Sequence, residues 1–332
     1  MKQPLIVLTG PTAVGKTSLS IQLAQALDGE IISADSMQVY HHMDIGSAKV
    51  TDQEMKGVPH HLIDILEPWE DFNVAIFQSM AKQALSDIYG RGHIPIVAGG
   101  TGFYIQALLY DIDFKKNESD SSVREELENI AQTQGNEYLH QLLTEADPDA
   151  AAQIHANNQK RVIRALEYYK LTGQRISEHN QQEREKESPY RFYYYVLNCD
   201  RARLYQRIDQ RVDQMMDVGL VAEVEKLRDM GCCRGMTSMQ GLGYKEILDY
   251  LNQECSLEEA VRVLKRDTRH FAKRQLTWFK REREVRWLQL EDFGCDPGLV
   301  LEHILEEFRQ GEKTAKKNEQ KESAFDEIGT DI

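Results

Sequence analysis

A short apolar run, a glycine-rich loop and an amphipathic run follow one another at the start of this chain, and few folds accommodate all three. The apolar run is Leu5 to Leu8, the loop is Gly10-Pro11-Thr12-Ala13-Val14-Gly15-Lys16-Thr17, and the amphipathic run is Ser18 to Leu27. The loop satisfies the pattern G-x-x-x-x-G-K-[ST]. Its backbone N–H groups converge on phosphate oxygens, the next helix turns the positive end of its dipole toward them, and Lys16 and Thr17 add an ammonium and a metal-facing hydroxyl. Glycine at 10 and 15 permits positive φ and a close backbone approach that a side chain obstructs. All eight residues, Gly10, Pro11, Thr12, Ala13, Val14, Gly15, Lys16 and Thr17, are candidates for diphosphate or nucleotide binding, with Thr17 the candidate Mg²⁺ ligand. The loop alone leaves open whether its phosphate is a donor, a leaving group or an energy source.

The rest of the chain alternates. Short apolar runs at Leu5 to Leu8, Glu30 to Ser33, Ile94 to Ala98 and Arg191 to Leu197 are each followed by Gly, Asp or Thr and then a helical pattern. Such alternation predicts an α/β fold, a parallel sheet flanked by helices in the manner of phosphate-loop NTPases. Right-handed crossovers then put ligands at the carboxyl ends of the strands, where Gly10, Asp35 and Gly99 fall. Between Asp111 and Pro189 strand signals stop, and polar helices are expected at Ser121 to Thr133, Asn136 to Glu145 and Gln159 to Leu171. The expected organisation is a discontinuous core, 1–110 and 189–310, an inserted all-helical module at 111–188, and a disordered acidic tail at 311–332.

Composition narrows the partners. With 332 residues, 41% of them hydrophobic, the chain can bury a large core. No apolar run approaches the roughly eighteen residues of a membrane helix, and the first residues lead straight into a strand, so a cytoplasmic protein without membrane contact is expected. Five cysteines lack the spacing of a zinc site. The net charge of −14 speaks against nucleic acid, but its distribution is uneven. Arg262 to Arg286 holds ten Lys/Arg against three acids, in a helical pattern with interleaved Val263, Phe271, Leu276, Trp278 and Phe279; Trp287 to Ile332 holds twelve acids against five bases. The basic stretch suits either a phosphate backbone or a solvated helix face.

Two further segments carry chemistry. Asp35, in Ser33-Ala34-Asp35-Ser36-Met37-Gln38-Val39-Tyr40, ends its strand near the phosphates, where its carboxylate can bind magnesium, accept a proton or merely cap a helix. Gly99-Gly100-Thr101-Gly102 repeats that arrangement after another strand, with Thr101 a catalytic candidate or a plain helix cap.

Taken with Met43-Asp44-Ile45-Gly46-Ser47-Ala48-Lys49, Val58-Pro59-His60-His61-Leu62-Ile63-Asp64, Arg164-Ala165-Leu166-Glu167, Gly243-Tyr244-Lys245-Glu246 and Arg274-Gln275-Leu276-Thr277-Trp278-Phe279, these segments make the chain resemble the tRNA dimethylallyltransferases, or tRNA isopentenyltransferases, of bacterial type. The resemblance spans about residues 4 to 290. It implies transfer of a dimethylallyl group from dimethylallyl diphosphate to N6 of the adenosine at position 37 of tRNAs reading codons that begin with U. Mg²⁺ is the implied cofactor and the anticodon stem-loop the implied partner, with a monomer expected.

On this reading the loop holds a leaving group, and N–H donors, Lys16 and Mg²⁺ stabilise charge where it develops. Asp35 is the implied base and Arg211 an added cationic clamp, with Arg207 one helical turn earlier competing for that role. The resemblance assigns substrate and tRNA contacts to Asp35, Ser36, Met37, Gln38, Thr101, Arg124, Gln159, Lys160, Arg161, Val162 and Ile163. The target adenosine must leave its stack to reach the diphosphate. There are departures from the family pattern: Lys160 and Lys280 are not the usual residues, and Phe103 replaces an aliphatic. No zinc-finger extension of the kind eukaryotic members carry is expected.

Three rivals stay open at this point. A small-molecule kinase would use the same loop and sheet without needing Arg262 to Arg286. A non-catalytic RNA-binding module would tolerate loss of Asp35. An enzyme prenylating free AMP or ADP would need no large helical insertion.

Overall fold

Near-continuous apolar runs build the centre of the fold. Leu5, Ile6, Val7 and Leu8 are fully buried, so both faces of their strand are covered, as expected of a parallel strand between helices. The computed structural model describes residues 2–114 and 121–329. Among these it contains the strands β1 (Gln3–Thr9), β2 (Gly29–Ala34), β3 (His60–His61), β4 (Ile94–Gly99), β5 (Tyr190–Asn198) and β6 (Val285–Gln289). They form one parallel sheet in the order β3-β2-β4-β1-β5-β6. The observed fold is the expected α/β fold, and the expected strands are β1, β2, β4 and β5, each slightly longer than read.

This order positions the site. β4 lies between β1 and β2, with Gly99 paired to Thr9 on one side and to Ala34 on the other. The three segments that follow these strands, starting at Gly10, Asp35 and Gly100, therefore leave the sheet side by side at its carboxyl edge.

The chain forms two compact units, Met1–Leu108 with Tyr190–Ile332, and Leu109–Pro189. In the second, the helix Ser121–Ala146 is broken at Gly135 (φ 86°), giving the two arms read from the sequence; Pro148–Gln153, Gln159–Thr172 and Ile176–Glu185 follow. Leu127, Leu139, Leu143, Val162, Ile163 and Leu166 make its core. Buried Asp147 accepts from the Ala150 N–H at 3.0 Å, from the Ser177 N–H at 2.9 Å and from the Ser177 hydroxyl at 2.6 Å, tying helix starts together.

In the first unit, the helix Leu257–Phe279 buries Ala260, Leu264, Thr268, Ala272, Gln275 and Phe279 along one stripe. Two expectations need correction here. The basic stretch is helical only to Phe279; Glu284 turns the chain at φ 58° and Arg286 sits in the edge strand β6. The segment from Gly311, read from composition as disordered, is helical as part of Pro297–Gly329. Its early part is anchored: Glu312 accepts from Arg191 Nε at 2.9 Å and from the Tyr193 hydroxyl at 3.0 Å, while Val300, Ile304 and Phe308 join the core. Residues 330–332 of that tail, and 115–120 of the insertion, lie outside the described residues.

Candidate active site

The phosphate loop takes its shape from two glycines. Gly10 leaves β1 at φ 145°, and a Cβ there would strike the Leu197 carbonyl of β5; Gly15 stands at φ 109° as the N-cap of the helix Lys16–Leu27. Val14 is buried in the core, so it contributes backbone rather than side chain to a ligand. Lys16 Nζ folds back on the loop and donates to the carbonyls of Gly10 at 2.9 Å and Pro11 at 2.8 Å. Two of its three N–H donors are thus used, and one is left for an anion.

Thr12, Lys16, Thr17, Asp35, Gln38 and Arg211 line a single pocket. Ile31, Val50, Ile63 and Phe271 line it too, so the pocket is cationic and apolar at once. Among the described residues, Asp35 is the only carboxylate in its lining. Asp35 Oδ1 accepts from the Met37 N–H at 2.9 Å, closing a turn. Helix capping is therefore not its role, since a turn and not a helix follows it. Gln38 is held at both ends of its amide, accepting from the Ser33 hydroxyl at 3.1 Å and donating to the Ala48 carbonyl at 3.3 Å. Ser36 lies in the same turn, and the Met37 side chain occupies the space a Cβ on Gly241 would need.

Thr101 directly follows Gly100, which lines the pocket. Its N–H donates to the Ala34 carbonyl at 3.1 Å and its carbonyl accepts from Tyr104 at 3.0 Å, at the start of the helix Gly102–Leu109. It braces the ends of β2 and β4 and begins a helix, so the capping position and a place beside the pocket coincide.

Arg207 and Arg211 take different places beside the phosphate loop. Arg211, on the helix Arg201–Asp217, lines the pocket; the Arg207 guanidinium lies beside Gly15. Burial lowers the Lys16 ammonium to about 7, helped by the neighbouring Arg211 and opposed by Asp35. Burial likewise pulls Arg211 below its usual range, again against Asp35. Two buried basic groups therefore face one carboxylate, and an arriving polyanion favours their charged forms.

One functional residue has no role in the sequence reading. Gln275, buried on the basic helix, accepts from the Thr12 N–H of the phosphate loop at 2.9 Å and donates to the Gly100 carbonyl at 3.0 Å. One side chain thereby braces the loop after β1 against the loop after β4. Its signals in the sequence were its place in the motif Arg274 to Phe279 and an amide on a mostly apolar stripe. His60, on β3, also lines the pocket; its Nδ1 is 2.8 Å from the Val58 carbonyl, and burial holds its pKa below the usual value.

The basic helix divides into two halves. Arg262, Lys265, Arg266 and Arg269 are paired with Glu259, Asp213, Asp267 and Asp209. Lys273, Arg274, Lys280 and Arg281 lie exposed toward the other end, with Arg274 over the Phe271 ring. Much of the local positive charge is therefore offset by neighbouring carboxylates of the same chain, and the second half carries the outward field.

Within the helical unit, Lys160 and Arg161 are exposed and Gln159 half-buried at the start of Gln159–Thr172. Val162 and Ile163 are a correction: both are buried in that unit's core, because the helical turn directs them away from the face holding Lys160 and Arg161. Arg124 is half-exposed, 3.9 Å from the fully buried Glu167, which Arg164 holds at 2.8 Å.

A phosphate loop on a parallel sheet, beside a pocket lined by both basic and apolar side chains, defines a phosphate-loop protein. A sequence model described as IPP transferase matches residues 38–282, and one described as isopentenyl transferase matches residues 3–65. A tRNA dimethylallyltransferase of Lachnoclostridium phytofermentans is 61% identical over 302 residues, covering 91% of this chain and 96% of the relative. The full-length tRNA isopentenylpyrophosphate transferase of Bacillus halodurans is 44% identical with a TM-score of 0.71, covering 95% of this chain and 100% of that one. A eukaryotic dimethylallyltransferase acting on tRNA is 33% identical with a TM-score of 0.75, covering 86% of this chain and 74% of that one. The chain belongs to the tRNA dimethylallyltransferase (IPP transferase) family.

Proposed function

We propose that this protein transfers the dimethylallyl group of dimethylallyl diphosphate to N6 of adenosine 37, just 3′ of the anticodon, in tRNAs reading codons that begin with U, and releases diphosphate. The observation that carries the reading is the pocket itself, where Lys16 and Arg211 are buried beside one carboxylate and the apolar Val50, Ile63 and Phe271 share the lining. A diphosphate joined to a five-carbon chain matches both chemistries.

The division of labour follows from charge. The allylic carbon–oxygen bond breaks as negative charge gathers on the diphosphate, and loop N–H groups, Lys16 and Arg211 stabilise it there. Asp35 takes the proton from N6 as the nitrogen attacks, so the amine need not carry a positive charge. Thr101 and Gln38 position the adenine, and Ser36 and Met37 shape the turn beside it. The hydroxyl of Thr17 is a hard oxygen donor in the lining and would help to hold Mg²⁺, an ion that proteins seldom enclose in a cage of their own ligands. Mg²⁺ bound there supplies further neutralisation of the leaving diphosphate.

The helical unit Leu109–Pro189 supports RNA over a free nucleotide as acceptor, with Arg124, Gln159, Lys160 and Arg161 as its contacts. The exposed Lys273, Arg274, Lys280 and Arg281 add a second cationic surface. Among the described residues no helix is long and apolar enough to cross a membrane, and a tRNA substrate accords with the cytoplasm. We expect a monomer. The test is incubation of the protein with dimethylallyl diphosphate, Mg²⁺ and unmodified tRNA, followed by mass measurement of the RNA. A gain of one prenyl group on a nucleoside containing adenine is the expected result; prenylation of AMP alone, or none, refutes the reading.

A further inference from the structure

The segment Asp44 to Ala48 has no regular secondary structure, yet it forms part of the pocket lining through Ser47 and Ala48. Four successive backbone N–H groups of this segment are captured from outside it. Glu223 Oε2 accepts from Asp44 at 2.9 Å and Ile45 at 2.7 Å, Glu223 Oε1 accepts from Gly46 at 3.0 Å, and the Tyr244 hydroxyl accepts from Ser47 at 3.1 Å. The same hydroxyl donates to Glu223 Oε1 at 2.8 Å, which joins the two side chains into one clamp. Tyr244 is fully buried, and its ring fills the space a Cβ on Gly46 would need, so the segment lies flat on the ring. Beyond the segment Lys49 closes the other end: its nearly inaccessible Nζ donates to the Tyr40 carbonyl at 2.7 Å and to Asp44 Oδ1 at 2.6 Å.

The clamp reaches the chemistry in two ways. Ala48 is both pocket wall and the acceptor for the Gln38 amide, so the position of the segment sets where Gln38 points. The adjoining Val50 and Ile63 line the same pocket, so the segment also limits the depth offered to an apolar chain. A carboxylate that accepts several charge-assisted hydrogen bonds from consecutive amides holds backbone more firmly than neutral contacts do.

We propose that Glu223 and Tyr244 are positioning residues that fix this wall and thereby set the length of prenyl chain the pocket accepts. The proposal rests on the reading of the pocket as the site of the allyl diphosphate. On this proposal the wall supplies specificity by refusing to yield, so that a chain longer than five carbons is accepted only when Ser47 and Ala48 retreat.

The full-length protein, Tyr244→Phe and Glu223→Gln are compared with dimethylallyl and geranyl diphosphate as donors to the same unmodified tRNA. Tyr244→Phe keeps the ring and removes only the hydroxyl. In both variants the preference for the five-carbon donor, as a ratio of kcat/KM values, is expected to fall about tenfold, the scale of pocket discrimination by chain size. KM for dimethylallyl diphosphate rises, and amide hydrogen exchange of the peptide spanning residues 43–49 accelerates. Faster exchange with an unchanged donor preference overturns the proposal, since the clamp is then structural only. Unchanged exchange and preference overturn it as well. Should Glu223→Gln fail to fold, Tyr244→Phe decides alone. If the wild-type protein transfers neither prenyl group, the reading of the pocket fails instead, and the two failures are distinct.

Discussion

Binding of the diphosphate should draw a proton from solution, and Lys16 is the group that takes it. In the free protein burial and Arg211 bring its ammonium to about 7, whereas an unfolded lysine titrates near 10.4. The folded value is the lower one. Between roughly pH 7 and pH 10 the unfolded chain therefore holds a proton that the native state lacks, and stability gains with rising pH across that window. Below pH 7 both states hold it, and the native state retains a buried cation. An arriving diphosphate reverses the balance by giving that cation a counter-charge. With a value of about 7, some nine in ten free molecules carry neutral Lys16 at pH 8, so binding takes up about 0.9 proton there, about 0.5 at pH 7 and about 0.1 at pH 6. The last proton of a phosphate group dissociates near 6, so the ligand contributes little at pH 8. Calorimetry of dimethylallyl diphosphate binding in two buffers of different ionisation enthalpy measures the uptake directly. Lys16→Met should abolish it, and Arg211→Gln should reduce it at pH 8 by letting Lys16 return toward its ordinary value. No uptake in the wild-type protein at pH 8, or undiminished uptake in Lys16→Met, refutes the assignment.

Three other variants test separate parts of the site. Gln275→Leu strips partners from the Thr12 N–H and the Gly100 carbonyl, with an expected cost of about 2–4 kcal/mol in urea unfolding. It should also lower kcat/KM by roughly 10² for both substrates, because two loops lose their common brace; full activity at lower stability would make the brace merely structural. Asp35→Asn keeps an acceptor for the Met37 N–H and loses the base, so kcat should drop roughly 10² to 10⁴ with tRNA affinity nearly intact. A near-normal rate removes Asp35 from proton transfer. Lys280→Ala should flatten the dependence of log affinity for tRNA on log salt by about one unit, whereas Lys265→Ala, whose ammonium is already held by Asp213, should change it far less. Equal slopes for the two variants would mean that the exposed half of the helix has no special part in binding RNA.

Features decided by neighbours in sequence were legible before the fold was. The phosphate loop is local, and β1, β2, β4 and β5 announce themselves because burial on both faces leaves near-continuous apolar runs. β3 is two residues long and β6 buries only Leu288, so neither carries a readable period. Gly135 marked the break in the long helix of the second unit, since its φ of 86° suits glycine. Composition carried no sign of the anchoring at the start of the segment from Gly311, because Glu312 and Arg191 stand 121 residues apart in sequence. Val162 and Ile163 stand in one run with Lys160 and Arg161, although a helix cannot point four consecutive side chains at one partner.

Gln275 shows why the site itself was only half legible. Its two partners stand 263 and 175 residues away, and each becomes its neighbour only because β4 is inserted between β1 and β2 in the sheet. That insertion gathers Gly10, Asp35 and Gly100 at one edge, and the helix Leu257–Phe279 crosses it with Gln275 inward and its cations outward. One helix thus binds the loop that holds the leaving group to the loop that precedes Thr101, and the exposed Lys273, Lys280 and Arg281 lie on it and just beyond its end. RNA bound along that face would stiffen the helix that positions both loops. Diphosphate affinity should then rise when an anticodon stem-loop is present and fall back toward the RNA-free value in Gln275→Leu, and by linkage the RNA should bind tighter by the same factor when the diphosphate is in place. Calorimetry of each ligand with and without the other gives both factors. Independent binding in the wild-type protein would show that the brace transmits nothing, and unequal factors would show that the titrations do not report a simple pair of sites.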